Sequence, residues 1–326
     1  MTVAPDYKVL MGALGPEVLA HRLDERVIDI FVRPWGIAVD RRGEGLVETG
    51  VVPAPGSIAL AIRAMRTHLG GTATDADPRV EGAMPDDGSR FAGRLAGENS
   101  YFTIRCHRQV DSRLENYNSE GGRQAGAVQA LCALLAERKR GIIVGPTGSG
   151  KTFLLRAICA KANEYHPNRH FVIIEDSAEL VGFKPAFRTY IPTTSQIAMR
   201  ECAQEALRHR PDYLVFGEVR GGEALDIQTY SNTGHTTYFT LHAYGAVSGL
   251  QQYVSYIRQA AEAVDYQAIC DSVDFVATAA RRLEPTGEVV DGRPVMRDTF
   301  FIKELVSVDE YVGGRWQVSS LLEGVE

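Results

Sequence analysis

Apolar positions recur along this chain in two patterns, with a polar stretch between them. Residues 1–12 carry little pattern and are expected to fray. Leu14, Val18, Leu19 and Leu23 fall on one helical face. Residues 27–32 and 37–40 read as strands, with turns at Pro34-Trp35-Gly36 and Arg41-Arg42-Gly43. Ile58, Ile62, Met65 and Leu69 mark a second helix, stopped by Gly70-Gly71. Strands are expected near 79–84, 89–95 and 100–106, the first two joined by a hairpin turn at Asp86-Asp87-Gly88. Residues 1–107 thus read as a small α+β domain.

Residues 108–122 are polar and end in Gly121-Gly122, which reads as a linker. Beyond it the pattern alternates. Val128, Leu131, Leu134 and Leu135 share a helical face. An apolar strand follows at 141–144, then a helix carrying Leu154, Leu155, Ile158 and Ala162. The run at 171–174 is continuously apolar, as strands buried on both faces are. Met199, Cys202, Ala203, Ala206 and Leu207 give another helix face, 213–216 another buried strand, 237–241 a third. A helix follows with Val247, Leu250, Val254 and Ile257. Alternating strand and helix predict a mostly parallel α/β sheet with flanking helices over 123–326. Asp291-Gly292 and Gly313-Gly314 are hairpin signals, so the tail is expected to be a β appendage.

Composition narrows the reading little. At 326 residues the chain has room for about two domains. The net charge of −6 argues against a dominant nucleic-acid footprint. Five cysteines, none spaced C-x-x-C, argue against a zinc ribbon or a disulfide framework and fit a reducing compartment. No apolar run reaches 18 residues, and the N-terminus lacks a basic-then-apolar leader, so a cytosolic protein is expected.

The chemistry is carried by Gly145-Pro146-Thr147-Gly148-Ser149-Gly150-Lys151-Thr152, which satisfies G-x-x-x-x-G-K-[ST] between a strand and a helix. Gly145, Gly148 and Gly150 let backbone N–H groups turn inward around a polyphosphate, at a helix N-terminus that favours anions. Lys151 is placed for the β- and γ-phosphates of ATP and the Thr152 hydroxyl for Mg²⁺; Phe153 completes the nucleotide-binding set. Glu175-Asp176 and Glu218 each follow an apolar strand. Ligands of open α/β sheets lie outside the carboxyl ends of the strands, so these acids are expected to face the phosphates. Glu218 is assigned to the attacking water, and Glu175 with Asp176 to the metal and its water shell. Gly217, before Glu218, leaves room for close ligand approach. His235 and His242 flank the strand at 237–241. Two histidines seven residues apart do not make a zinc pattern; His242 either senses the γ-phosphate or relays to Glu218, or is structural. Arg90 and Arg105 are candidate phosphate contacts from the first domain.

Taken together these segments resemble the hexameric ATPases of type IV secretion and conjugation, type II secretion and type IV pili. The 145–152 segment is one of four matching boxes. Ile174-Glu175-Asp176-Ser177-Ala178-Glu179-Leu180 is similar to the acidic box, 210–224 to the Walker B region and 233–243 to the histidine box. Gly88-Ser89-Arg90-Phe91 and Phe102-Thr103-Ile104-Arg105 look like strands of the family's N-terminal domain. The resemblance implies a PAS-like N-terminal domain joined to a RecA-like ATPase domain. It implies a homo-hexamer with nucleotide between the domains, Arg105 on phosphate, and peripheral association with inner-membrane secretion, conjugation or pilus machinery. Val219-Arg220-Gly221-Gly222-Glu223-Ala224 looks most like the conjugation and type IV secretion branch. The histidine box is one residue shorter than in that branch, which resembles pilus-retraction and type IVB proteins. A nucleic-acid translocase on the same core, or a nucleotide-binding regulator with vestigial hydrolysis, are the other readings. Sequence-specific nucleic-acid binding is not expected.

Overall fold

The computed structural model describes residues 5–74, 76–106, 113–118, 123–176, 179–180, 182–193, 197–290 and 293–322. It is a mixed α/β protein with two sheets, and the chain separates into two compact units.

The first unit takes residues 1–110 and 283–298. Its sheet contains β1 (Val27–Arg33), β2 (Gly36–Arg41), β3 (Gly45–Glu48), β4 (Arg79–Ala83), β5 (Arg90–Arg94) and β6 (Tyr101–Arg105). They lie in the order β3-β2-β1-β6-β5-β4, antiparallel throughout. Strand alternation sends Ile30, Val32, Phe91, Phe102 and Ile104 to one face, into a core shared with two helices. These are α1 (Pro5–Leu23) and α2 (Ser57–His68). Helix α1 begins inside the stretch expected to fray, because Leu10 is fully buried in that core. Gly15, at φ 76°, kinks it just before Pro16. The Asp86-Asp87-Gly88 turn has a second use. Asp86 and Asp87 both pair with the buried Arg22 of α1, at 2.7 and 3.0 Å. Strand β3 was not expected, since it is a short edge strand with Leu46 two-thirds exposed.

The second unit takes residues 111–282 and 299–326. Its strands are β7 (Gly141–Gly145), β8 (Phe171–Glu175), β9 (Arg188–Pro192), β10 (Tyr213–Phe216), β11 (Thr236–His242), β12 (Phe275–Val290), β13 (Arg293–Val312) and β14 (Arg315–Ser320), of which β12 from 283 and β13 up to 298 are counted in the first unit. The sheet order is β14-β13-β12-β7-β11-β10-β8-β9. From β12 to β9 every pairing is parallel. Residues 291–292 lie outside the described residues; so short a connection can join β12 and β13 only as antiparallel neighbours. Gly313 and Gly314, both at positive φ, turn β13 into the antiparallel β14. The tail strands therefore continue the central sheet.

The helices are α3 (Arg123–Ala136), α4 (Lys151–Tyr165), α5 (Met199–Ala206), α6 (Glu223–Asn232), α7 (Ala246–Ile257) and α8 (Tyr266–Ser272). Successive strand residues feed opposite layers. Ile142, Val144, Ile174, Phe216 and Leu241 pack toward α5, α6, α7 and α8. Ile143, Ile173, Val215, Tyr238 and Phe275 pack toward α3 and α4. Burial on both faces is why these strands read as unbroken apolar runs. Within the stretch read as a linker, Leu114–Asn118 forms a 3₁₀ turn whose Leu114 and Tyr117 are buried in the second layer; residues 107–112 and 119–122 lie outside the described residues. All five cysteines are free thiols, four of them buried.

Candidate functional site

Four neighbouring strands, β7, β11, β10 and β8, end at one edge of the parallel sheet, and the candidate residues stand at those ends. Strand β7 ends at Gly145, a turn occupies 146–150, and α4 begins at Lys151. The turn depends on glycine. Gly148 and Gly150 have φ of 75° and 85°, where a side chain is strained. A Cβ on Gly145 would lie 2.3 Å from Ser149 Oγ and 2.6 Å from the Ala279 carbonyl oxygen. The turn leaves the first N–H groups of α4 without helical acceptors, at its positive end. Pro146, Thr147 and Gly148 are exposed. Phe153 turns its ring inward between Tyr117 and Phe300, leaving its backbone at the helix start.

Lys151 is 8 % exposed. Its ammonium donates to the Pro146 carbonyl at 3.2 Å and to Nδ1 of His242, the last residue of β11, at 3.1 Å. Burial holds its pKa below that of an ordinary lysine, against the pull of Glu218 and Glu179. His242 Nε2 in turn lies 2.6 Å from Glu218 Oε1. That approach is close but poorly aligned, and Oε1 is a buried acceptor without an aligned donor. The other oxygen, Oε2, accepts from Arg220 at 2.6 Å. Burial would raise the Glu218 pKa, but Arg220, His242 and Lys151 outweigh it and hold the carboxylate below its ordinary value. Arg220 also donates to Asp176 Oδ2 at 2.9 Å. One continuous polar chain thus joins Lys151, His242, Glu218, Arg220 and Asp176.

Glu175 stands apart from that chain. It is 1 % exposed, both its oxygens accept from the Leu180 N–H at 3.0 Å, and Oε1 also accepts from the Tyr190 hydroxyl at 2.9 Å. Burial pushes its pKa up to about 8 despite these donors. Gly217 was read as making room for a ligand; the space is filled by Glu175, since a Cβ there would lie 2.7 Å from that of Glu175.

His235 accepts a structural position. Its Nδ1 lies 3.1 Å from the Tyr230 carbonyl at the end of α6. Arg90 and Arg105 belong to the first unit, directly opposite each other on β5 and β6. Arg105 pairs with Asp29 at 3.0 Å, Arg90 with Glu81 at 3.7 Å. Tyr190 and Leu180, which hold Glu175, were not foreseen. Tyr190 lies on β9, a half-exposed strand without alternation, so no local signal pointed to it.

Among the described residues no group of three His, Cys, Asp or Glu side chains could enclose a metal ion. A magnesium site of the phosphate type needs no such cage, since phosphate oxygens and water supply most ligands. The residues fit that type: Thr152 is the second residue of α4, Ser149 Oγ is buried without a partner, and Asp176 and Glu218 stand at adjoining strand ends.

The family model described as "Type II/IV secretion system protein" matches residues 95–309. The chain is 29 % identical to the conjugal transfer protein TrbB of Rhizobium radiobacter, over 83 % of this chain and 85 % of that one. It is 26 % identical to a probable conjugal transfer protein TrbB of Sinorhizobium fredii, over 95 % and 92 %. Among solved structures, the pilus retraction motor PilT with bound ADP aligns with a TM-score of 0.60 at 19 % identity, over 88 % of this chain and 82 % of that one. The ATPase DotB of Legionella pneumophila aligns at 0.56 and 20 % identity, over 87 % and 79 %. These two likenesses concern the fold. With two thirds of its length matched by the family model, this chain belongs to the type II/IV secretion ATPase superfamily.

Proposed function

We propose that the chain is a Mg²⁺-dependent ATP hydrolase that powers a type IV secretion or conjugation machine. The observation that carries this reading is the convergence of Lys151, His242 and Glu218 beside the 145–152 turn, at the carboxyl ends of adjacent parallel strands. On this reading the second unit is a RecA-like domain and 145–152 its P-loop. The backbone N–H groups of the turn cradle the phosphates, and Lys151 leaves the Pro146 carbonyl for the γ-phosphate. Glu218, kept ionised by Arg220, orients the attacking water and takes its proton. His242, between Lys151 and Glu218, couples phosphate binding to the position of that carboxylate. Thr152, with Asp176 at the water shell, would hold Mg²⁺, which would neutralise phosphate charge. The buried Glu175 acts through the loop it pins.

The first unit corresponds to the PAS-like domain, with Arg105 and Arg90 offered to phosphate across a homo-hexamer. Names of relatives point to conjugal transfer. The working place would be the cytoplasmic face of the inner membrane; no described helix is long and apolar enough to cross it. The short histidine box favours a second reading, a pilus-retraction type motor. The test is to trap Glu218→Gln with ATP in the native host, cross-link, and identify the membrane proteins recovered. Conjugation or type IV secretion core proteins support the first reading. A pilus platform protein with pilin supports the second.

A further inference from the structure

We propose that the groove between α7 and the β13–β14 turn, together with the outer edge of β14, docks an extended acidic segment of a partner protein as an added strand. The groove measures about 350 Å³. At its floor Tyr266 and Tyr311 stack at 4.0 Å, and Trp316 meets Tyr311 edge-on at 4.9 Å. Rings of this kind, with arginine, are the side chains that dominate binding energy at protein interfaces. Val247 adds apolar surface to the groove that is 41 % exposed. The two charged residues lining the groove are both arginines, Arg258 and Arg315, in a chain of net charge −6. Arg258 is fixed by a 2.9 Å bond to the Tyr266 hydroxyl, so its charge is held at the groove. That charge selects a carboxylate beside the apolar anchor.

The backbone supplies the second half of the argument. Among the described residues, strand β14 (Arg315–Ser320) is the outermost strand of the eight-stranded sheet, paired on one side to β13. It carries no proline and no lysine, the usual guards of an exposed edge. An edge of this kind accepts a strand through main-chain hydrogen bonds, while pockets for alternate side chains set specificity. Here the groove opens where β14 starts, so a bound strand can seat one bulky side chain on the aromatic trio with acidic neighbours on Arg258 and Arg315. The groove is lined by none of the residues of the phosphate turn, and the inference does not depend on the ATPase reading.

The test uses the full chain carrying Trp35→Phe, which leaves Trp316 as the one tryptophan. The probes are three ten-residue peptides of alternating Thr and Val around a central Phe, flanked by Asp, Asn or Lys. Trp316 fluorescence reports binding, and hydrogen exchange reports β14. The proposal expects the Asp peptide to bind at least tenfold tighter than the Lys peptide and to slow exchange along β14. Arg315→Glu, an exposed substitution at a turn, should remove that preference; Arg258→Glu with Arg315→Glu should reverse it. Failure of the Asp peptide to bind, equal binding of all three, or a preference untouched by Arg315→Glu would overturn it. So would β14 protection that rises with protein concentration without peptide, which would make the occupant a second copy of this chain.

Discussion

Nζ of Lys151 and Nδ1 of His242 lie 3.1 Å apart, joining the first residue of α4 to the last residue of β11. An ammonium can only donate, so Nδ1 is the acceptor and the ring proton sits on Nε2, toward Glu218. Lys151 and Glu218, proposed to bind phosphate and to orient the water, are thereby linked through one imidazole. His242→Ala should lower kcat about 100-fold, in the range of a positioned acid–base group, with KM little changed. Steady-state kinetics check this; an unchanged kcat would leave His242 structural.

Arg220 is the foremost of the groups, with His242 and Lys151, that hold the Glu218 pKa down against burial. Removing it leaves burial as the largest influence, so the Glu218 pKa must rise. In Arg220→Ala the acid limb of the pH–rate profile should move to higher pH. Arg220→Lys, which keeps the charge, should restore part of the shift. A profile that does not move would show that Glu218 is not the titrating base.

Glu175 keeps its proton in the folded chain up to about pH 8, whereas an unfolded glutamate loses it near 4.3. Between those values the folded state binds the extra proton, so stability falls as pH rises through that window and levels off above it. Glu175→Gln mimics the protonated acid, and its thermal midpoint should fall less between pH 6 and 9 than that of the parent chain. Parallel curves would contradict this.

A Cβ added at Gly217 would lie 2.7 Å from the Cβ of Glu175, closer than two non-bonded carbons can sit. Gly217→Ala should cost about 1–3 kcal/mol, as overpacking in a core does. Denaturant unfolding measures it, with the variant's midpoint expected to drop.

The α/β character and the strands that carry the candidate residues were legible because parallel strands buried on both faces leave unbroken apolar runs, as at β8 and β10. Other elements left no such trace. Helix α6 buries Gln228 and Ser231 beside its apolar residues, and α8 has seven residues. Strand β9 is half-exposed. Local pattern could place Glu175 at a strand end but not show its engagement, since the partner hydroxyl of Tyr190 comes from β9. Arg220 was visible in sequence; its bridge to Asp176, 44 residues away, required the fold. The stretch read as a linker hides Leu114 and Tyr117, two buried residues too sparse to register as a pattern.

The central claim is that the 145–152 turn, Lys151 and Glu218 together hydrolyse ATP. The most direct measurement is phosphate release with Mg²⁺ and ATP by the parent chain, Lys151→Ala and Glu218→Gln, with nucleotide binding measured in parallel. The account predicts Mg²⁺-dependent turnover in the parent and near-complete loss in both variants. Glu218→Gln should still bind ATP, while Lys151→Ala should bind it weakly. Full turnover in either variant, or tight ATP binding without the lysine, would contradict the account.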